Sequence, residues 1–407
     1  MSSDLKSASS DDAHPANADV PSPLRTGWRA YEVYLSALII FAASRAVVVA
    51  GINLGKLTLR DADVVRTLDP ATLQADNVWY YRLLQHWDGG WYHAIVRDGY
   101  QYGGDPSVPS SVAFFPLYPL FAYAVKSLLR IDTDLALLIV ANVAALAAAL
   151  LFTKFVKDEL GDRVALLSLG SLCFFPSSLF LSAGYSESLC LAFVLLSFIL
   201  LRREKFVLAA VVAGLAAGTR SAGIVMMPVI LWEMWWRNKL PWPRLLPRMV
   251  LCGFLAASGL LAYMAFLGIK FGQPLAFAAS QLAWNKGAWR GDTIFERFLS
   301  VMTLAPFWHA YPEWIAVFLC FFALSIWSFR RLRFTVSLYA VGSLMLPYLT
   351  LGITGSMIRF GLMCFPAWMC VGILCERRLW LTISLIGILG GILLWEAALF
   401  SQWHFVG

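Results

Sequence analysis

Long apolar segments alternate with short polar ones along almost the whole sequence. A segment of roughly 17 to 25 apolar residues is long enough to cross a hydrocarbon core about 30 Å thick as a helix. The pattern therefore predicts an all-α polytopic membrane protein. It places about eleven membrane-spanning helices at residues 31–52, 132–156, 163–182, 187–201, 206–219, 221–236, 249–269, 311–328, 335–353, 358–375 and 379–400.

Composition agrees with this pattern and excludes an ordinary soluble protein. Of 407 residues, 59% are hydrophobic and 14% are charged, whereas about 25% of residues are charged in soluble domains. The seven cysteines lie within or at the ends of apolar segments, as expected for core residues rather than a disulfide framework. The net charge of +7 comes from short basic clusters between apolar segments. Such clusters are orientation signals, so we expect no nucleic-acid partner.

The ends of the chain differ in composition from the middle. Residues 1–24 are rich in Ser, Asp, Ala and Pro, which predicts a disordered tail over residues 1–30. The first apolar run is too long for a signal peptide and has no small-residue cleavage site, so we expect it to remain as an anchor. Residues 31–400 form one predicted transmembrane domain, and residues 401–407 a short C-terminal tail.

Segment 113–130, AFFPLYPLFAYAVKSLLR, decides the predicted orientation. Its prolines and its two basic residues make it a poor span, so we expect a helix lying at the membrane interface. With a cytoplasmic N-terminus, alternate short loops then place their basic residues inside, and the other short loops carry Arg220 and Arg359 alone. A crossing segment would reverse this bias. The inside set is Lys154, Lys157, Arg163, Arg202, Arg203, Lys205, Arg237, Lys239, Arg244, Arg248, Arg330, Arg331, Arg333, Arg377 and Arg378.

Two long outer loops follow from this orientation, residues 53–131 and 270–310. The first contains HWDGGWYHAIVRDGY at residues 86–100, an unusually polar and aromatic passage. Asp88 lies between two tryptophans, where partial desolvation suits the pKa of its carboxylate to general-base chemistry. Alternatively, Asp88 caps a short amphipathic helix that ends at Gly99, with the aromatic residues as interfacial anchors. Both interpretations stay open on the sequence.

Helical spacing in this passage predicts two stripes. Asp88 and Tyr92 share one of them, and Trp87, Trp91 and Ile95 form an apolar neighbour that could seat against the bilayer. The two histidines, His86 and His93, are two helical turns apart and could share a face. No HExxH spacing accompanies them, so the sequence predicts no zinc site. Walker A and Rossmann glycine patterns are missing as well, so direct nucleotide binding is not expected.

The short outer turns add three charged candidates. Glu187 in GYSES is either a charge favoured at a helix start or a second carboxylate in a cavity shared with Asp88, where a divalent ion could bind. Arg220 and Arg359 suit bidentate binding of a lipid phosphate. Snorkelling to the headgroups is the alternative for both arginines.

The second outer loop contains QLAWNKGAWRGD at residues 281–292. Gln281, Trp284 and Asn285 belong to a stretch in which aromatic residues alternate with hydrogen-bonding and basic ones. Such a surface suits a sugar phosphate as well as a membrane interface.

The sequence resembles a known family at several points in order. HWDGGWYHAIVRDGY followed by AFFPLYPLF is similar to the PIG-V type of membrane mannosyltransferase, as are FFPSSLFLSAGYSESL, GLAAGTRSAG and QLAWNKGAW. The resemblance covers roughly residues 35–370. It implies a GT-C fold, an active site facing away from the cytoplasm, and a donor sugar carried on a polyprenyl phosphate. By the same resemblance, the acid in the first outer loop, here Asp88, acts as the base.

The resulting hypothesis is an inverting glycosyltransferase that moves a hexose, with mannose expected, to a lipid, glycan or protein acceptor. Asp88 and Glu187 are its predicted catalytic residues, and Arg220 and Arg359 bind the lipid phosphate. The predicted substrate-binding residues are His86, Trp87, Trp91, Tyr92, Gln281, Trp284 and Asn285.

Two other functions remain open on the sequence. A transporter or lipid flippase without covalent chemistry would place ionisable residues near mid-membrane along a pathway, whereas the unusual polar residues here gather at one face. A non-catalytic subunit that keeps the fold is the third reading. The compact length and short loops favour a bacterial plasma membrane over the endoplasmic reticulum.

Overall fold

The computed structural model describes residues 23–58, 84–237, 240–284, 311–351, 355–404 and 406, and these residues form helices and turns without a β-strand. The helices are α1 Pro23–Thr58, α2 Asp88–Asp98, α3 Leu117–Leu129, α4 Thr133–Leu160, α5 Asp162–Phe174, α6 Glu187–Arg202, α7 Phe206–Thr219, α8 Met226–Trp236, α9 Trp242–Phe271, α10 Ala276–Ala279, α11 Pro312–Ser328, α12 Phe334–Leu351, α13 Ser356–Phe360, α14 Phe365–Cys375 and α15 Leu379–Ser401. Short 3-10 turns occupy Ser111–Ala113, Pro176–Leu181, Ser221–Val225 and Ser280–Trp284.

Four helical stretches in the described part of the chain are long and apolar enough to cross a membrane: Tyr31–Leu57, Thr133–Leu160, Trp242–Phe271 and Trp380–Ser401. Shorter apolar helices account for most of the other predicted spans. The predicted all-helical membrane architecture is therefore confirmed. The number of eleven spans stays a prediction.

Two predicted spans are broken in the structure, each close to a proline. Span 163–182 divides at Phe175, whose backbone is extended before Pro176 opens a 3-10 turn. Proline lacks the N–H that a helix needs and disfavours helical backbone in the residue before it. Span 358–375 divides into α13 and α14, and Pro366 lies in the first turn of α14. These breaks give the chain irregular turns at the end of the bundle that carries the candidate site.

Close helix packing depends on glycine. A Cβ atom at Gly55 of α1 would collide with the backbone of Ala398 and the hydroxyl of Ser401 in α15. A Cβ at Gly259 of α9 would likewise collide with the backbone of Gly214 in α7. Small residues let apolar helices approach closely and gain van der Waals contact, which is the main attraction between helices in lipid.

Helix α2 differs from its predicted setting. It ends before Gly99, as expected, but Tyr92, Ile95 and Val96 are buried in one cluster with residues of α3 and α4. Ile95 was expected to face the bilayer together with Trp87 and Trp91, and that prediction is wrong, because α3 folds back and covers this face. Trp87 precedes the helix and is not part of a stripe.

The end of the bundle away from α2 carries a network of charges, the distal cluster, made of Glu159, Arg202, Glu233, Arg237 and Arg333. Arg202 Nε lies 2.6 Å from Glu159 Oε1, and Arg237 Nε lies 2.6 Å from Glu233 Oε1. Arg333 Nε reaches the second oxygen of Glu159 at 3.1 Å. Its three arginines come from three of the basic loops predicted to lie in the cytoplasm, so the structure gathers those loops at one end.

Candidate active site

The segment that leads into α2 lies on the turn between α5 and α6. The backbone N–H of Gly184 donates to the carbonyl of Leu84 at 3.1 Å. Gln85 is buried, and its amide donates to the carbonyl of Asp134 at 3.1 Å. A Cβ at Gly184 would collide with the Gln85 amide, so this amide lies directly against the glycine. The polar passage of the first outer loop is therefore fixed to GYSES.

Tyr185 holds the backbone on both sides of Trp87. Its hydroxyl donates to the carbonyl of His86 at 3.0 Å and accepts the backbone N–H of Asp88 at 3.3 Å. Trp87 has a φ of 56°, a left-handed conformation that is costly for a bulky residue. Strain of this kind persists only where the surroundings enforce it, and it is common at functional sites.

Asp88 begins α2, and its carboxylate enters an ion-pair network that we call the site cluster: Asp88, Glu187, Arg220 and Arg359. Arg359 Nη1 donates to Asp88 Oδ2 at 2.6 Å, and its Nε lies 3.2 Å from Glu187 Oε1. Arg220 Nη1 lies 2.7 Å from the same Glu187 oxygen. The structure thus brings together all four of the charged residues that the sequence singled out. Asp88 does not cap α2, whose N-cap is Trp87 and lacks a side-chain hydrogen bond.

Burial and aromatic rings lower the polarity around this network. The side chain of Glu187 is 0% exposed and that of Arg359 is 8% exposed, whereas Asp88 is 24% exposed. The guanidinium carbon of Arg359 lies 5.3 Å from the centre of the Tyr185 ring and 5.4 Å from that of Phe180. A low-polarity shell strengthens electrostatic interactions among the groups it encloses. The charge at Asp88 is therefore both accessible and strongly coupled to its partners.

Several polar atoms of the site cluster have no hydrogen-bond partner among the described residues. They are the second carboxylate oxygen of Asp88, Nε and Nη2 of Arg359, and Nε and Nη2 of Arg220. Both oxygens of the buried Glu187 also lack a hydrogen-bond partner among these residues, because the close approach of Glu187 to the two arginines lacks hydrogen-bond geometry. The cluster thus keeps donors and acceptors available for a ligand.

Tyr92 connects α2 to the site cluster through Ser186. Its hydroxyl donates to Ser186 Oγ at 2.8 Å, and the same oxygen accepts Arg220 Nη1 at 3.2 Å. Tyr92 is buried, and burial raises the pKa of its phenol well above the usual range, so the group remains a neutral donor. Its predicted contact with substrate stays a prediction.

His86 is also buried, beneath Phe400 and Trp403. Burial lowers its pKa to about 4, against the opposing effect of a hydrogen bond with the Ser401 backbone. Because α2 begins at Asp88, His86 and His93 share no helical face, which corrects that expectation. His93 Nδ1 instead pairs with Asp134 Oδ1. Within the described ranges, no group of three His, Cys, Asp or Glu residues could hold a metal ion.

Three of the remaining predicted substrate residues, Trp87, Trp91 and Gln281, are described in the structure. Trp87 is 41% exposed, and the half-buried Trp91 stacks on Phe114 with 5.8 Å between ring centres. Gln281 lies beside the 3-10 turn Ser111–Ala113 and donates to the carbonyl of Ala113 at 3.5 Å. The Trp284 side chain and Asn285 lie outside the described residues.

Residues 39–266, more than half of the sequence, match the family model described as Mannosyltransferase (PIG-V). The chain belongs to this family. The matched region includes Asp88, Glu187 and Arg220 of the site cluster, whereas Arg359 lies beyond it. No curated protein matches the chain.

Solved structures of an archaeal oligosaccharyltransferase are similar to this PIG-V family chain. The Archaeoglobus fulgidus enzyme in its apo form gives a TM-score of 0.44 at 13% identity, with 88% of this chain and 55% of that chain covered. Its complex with an inhibitory peptide and a dolichol-phosphate gives 0.39 at 12% identity, with the same coverage. Its complex with Zn and sulfate gives 0.41 at 14% identity, with 88% and 52% covered. The PIG-V family chain thus spans about half the length of these structures.

Sequence reasoning missed several residues that shape the site of this PIG-V family protein. Tyr185 and Ser186 belong to the same GYSES turn as Glu187, and both are buried. Their place in the sequence, directly before a charged candidate, is the signal that could have identified them. Phe400 and Trp403 carry no comparable signal, because Phe400 ends the last predicted span and Trp403 lies in the short tail after it. Arg45 of α1 donates to the carbonyls of Cys173 and Ser178, which anchors the broken span before GYSES.

Proposed function

We propose that this protein is an inverting glycosyltransferase of the GT-C fold. It would transfer a hexose, with mannose expected, from a polyprenyl-phosphate sugar to a lipid, glycan or protein acceptor. The reaction would take place on the non-cytoplasmic face of a bacterial plasma membrane. The observation that carries the proposal is the site cluster, in which a partly exposed carboxylate and two guanidinium groups with unused donors meet in a member of a mannosyltransferase family.

Asp88 suits the role of general base. Arg359 and the start of α2 fix one of its oxygens, while its other oxygen has no partner among the described residues. That oxygen would accept the proton of the acceptor hydroxyl as the hydroxyl oxygen attacks the anomeric carbon. The bond from this carbon to the phosphate oxygen breaks, and the polyprenyl phosphate leaves with the electron pair. Attack opposite to the leaving group inverts the configuration.

Arg220 and Arg359 suit the phosphate. A guanidinium presents five N–H donors in a planar fork that matches phosphate oxygens. In Arg359 only Nη1 donates to a described carboxylate, and in Arg220 only Nη1 donates to a described side chain, so each retains further donors. A phosphate is already a stable leaving group, and stabilising its charge is sufficient assistance.

Glu187 keeps the two arginines together. Its buried carboxylate lies within 3.2 Å of both guanidinium groups and so offsets the repulsion between two neighbouring positive charges. In our proposal it also orients the acceptor or a cation. Trp87 and Trp91 would line the path of the sugar and the lipid, because aromatic faces stack on sugars and favour the membrane interface.

A transfer assay tests the proposal against the alternative of a transporter or flippase. Purified protein in lipid nanodiscs receives labelled synthetic polyprenyl-phosphate hexoses and a panel of lipid, glycan and peptide acceptors. We expect an acceptor to gain the mass of one hexose, with mannose giving the fastest reaction. Movement of the labelled lipid between leaflets of proteoliposomes without any covalent product would support a flippase instead.

A further inference from the structure

Residues 400–403, at the end of α15, lie against the segment that carries Asp88. The ring of Trp403 packs on His86 with 4.0 Å between centroids and an interplanar angle of 36°, and it meets Trp87 edge-on at 6.2 Å. Phe400 lies 5.5 Å from His86 and 6.3 Å from Tyr185. The last helix therefore contacts both residues that precede Asp88 and the tyrosine that holds its backbone.

The turn that presents Trp403 is itself well fixed. The backbone N–H groups of Gln402 and His404 both donate to the carbonyl of Leu399 at 3.0 Å. The Gln402 amide donates to the carbonyl of Gly55 in α1 at 3.2 Å. Trp403 has a φ of 64°, so the helical backbone does not continue through this residue. The turn that carries the ring is thus held by two closely packed helices, α1 and α15.

The segment under Trp403 needs such support. Trp87 adopts a left-handed backbone conformation although its side chain is 41% exposed, so burial of its own ring does not account for the strain. Contacts that restrain this turn include the Tyr185 hydroxyl on one side and the buried His86 ring, packed against Trp403, on the other. A change in the Trp87 backbone would rotate the first residue of α2, which is Asp88.

We infer that Trp403 is a positioning residue for Asp88. By covering His86 and Trp87 it holds the strained turn and keeps the Asp88 carboxylate directed at Arg359. Trp403 makes no contact with the site cluster among the described residues, so it acts through residues 86 and 87. This inference rests on the proposed function, because it assigns a purpose to the position of the proposed base.

Transfer kinetics of full-length variants test the inference. In Trp403→Ala, kcat falls about tenfold to a hundredfold, the size of effect expected from misplacing a catalytic group, while the KM for the polyprenyl-phosphate sugar stays unchanged. Trp403→Phe restores most of the loss, because a ring again covers His86. Trp395→Ala, a change on α15 at a side chain that is 61% exposed, behaves like the wild type. If Trp403→Ala does not fold, Trp403→Leu replaces it, and the same fall in kcat is expected.

Hydrogen–deuterium exchange separates a failure of this inference from a failure of the proposed function. Peptides covering residues 84–98 exchange faster in Trp403→Ala than in wild type or Trp395→Ala, and this result needs no transfer activity. A wild-type protein that transfers no sugar would overturn the proposed function and leave the exchange test intact. Unchanged exchange and unchanged kcat in folded Trp403→Ala would overturn the positioning role. A raised KM at constant kcat would also overturn it, since that result assigns Trp403 to substrate binding.

Discussion

Helix α6 begins in one charge network and ends in another. Glu187, its first residue, belongs to the site cluster, and Arg202, its last, belongs to the distal cluster. Both networks join carboxylates to arginines from several helices, and both are largely buried. In the distal cluster each oxygen of Glu159 faces an arginine, Arg202 on one and Arg333 on the other. In the site cluster the second oxygen of Asp88 has no partner among the described residues.

The difference shows that an ion-pair network is not by itself a sign of chemistry. The distal cluster ties helix ends together, and an orientation rule already explains its arginines. The site cluster has two features that the rule does not explain: two arginines at the end of the bundle opposite the basic loops, and a residue with a left-handed backbone, Trp87, directly before a partly exposed carboxylate. Comparing a substitution in the site cluster with the matched substitution in the distal cluster therefore separates an effect on catalysis from an effect on helix packing.

The largest effect is expected for Asp88→Asn. The variant keeps the shape of the side chain but cannot accept a proton, so transfer falls by about 10²- to 10⁴-fold while the donor still binds. Glu159→Gln is the matched change in the distal cluster and leaves the rate near that of the wild type. Single-turnover transfer and equilibrium binding of the donor measure the two quantities. Near-normal transfer by Asp88→Asn would remove Asp88 from the mechanism.

The next effect is expected for Arg359→Lys. Lysine retains the charge but loses the planar fork that serves Asp88, Glu187 and the phosphate together. We expect kcat to fall by about 10²- to 10³-fold, as for loss of a positioned donor. Arg333→Lys, at a side chain that is 57% exposed, changes activity and melting temperature little. Equal losses in the two variants would show that the guanidinium of Arg359 has only a structural role.

His86 makes the stability of the candidate site depend on pH. Its folded-state pKa of about 4 lies below the ordinary histidine value of 6.5, so the unfolded chain binds the proton first as pH falls. The resulting stability is complete above pH 6.5 and is lost down to pH 4, by about 3 kcal/mol as an order of magnitude. In His86→Phe the melting temperature falls less over this interval than in wild type, and in the exposed His404→Phe it falls equally. An unchanged slope in His86→Phe would contradict the assignment.

The smallest effect is expected for Gly184→Ala. The new methyl group displaces the Gln85 amide and breaks its hydrogen bond with Asp134, so the free energy of unfolding decreases by about 1–2 kcal/mol. Gly103→Ala, where the structure leaves room for a Cβ, is the control. Adding Gln85→Ala to Gly184→Ala relieves the collision and recovers part of the loss in thermal unfolding. A neutral Gly184→Ala would show that the two segments are not tightly packed.

The sequence predicted the helical architecture because the length of an apolar segment shows whether it can cross a membrane as a helix. It also predicted that Asp88, Glu187, Arg220 and Arg359 would share one face, because alternate turns of a polytopic chain emerge on the same side. It did not predict which groups pair. The contact between Asp88 and Arg359 depends on how α13 packs against the bundle, and no local pattern encodes that packing.

Tertiary contacts also account for the other residues that sequence reasoning missed. Ile95 belongs to an amphipathic pattern that fits lipid and protein equally well, and the fold of α3 decided between them. Trp403 resembles an interfacial tryptophan until the structure places it over His86. Such residues are found only when distant segments are brought together.

The location of a bound lipid phosphate tests the account most directly. A structure of the full-length protein in nanodiscs with a polyprenyl phosphate would show which of the two charge networks holds it. We predict that its oxygens lie within hydrogen-bond distance of Arg220 and Arg359, next to the open oxygen of Asp88. A phosphate held by Arg202, Arg237 and Arg333 in the distal cluster, with Asp88 and Arg359 still paired and remote from it, would contradict the account.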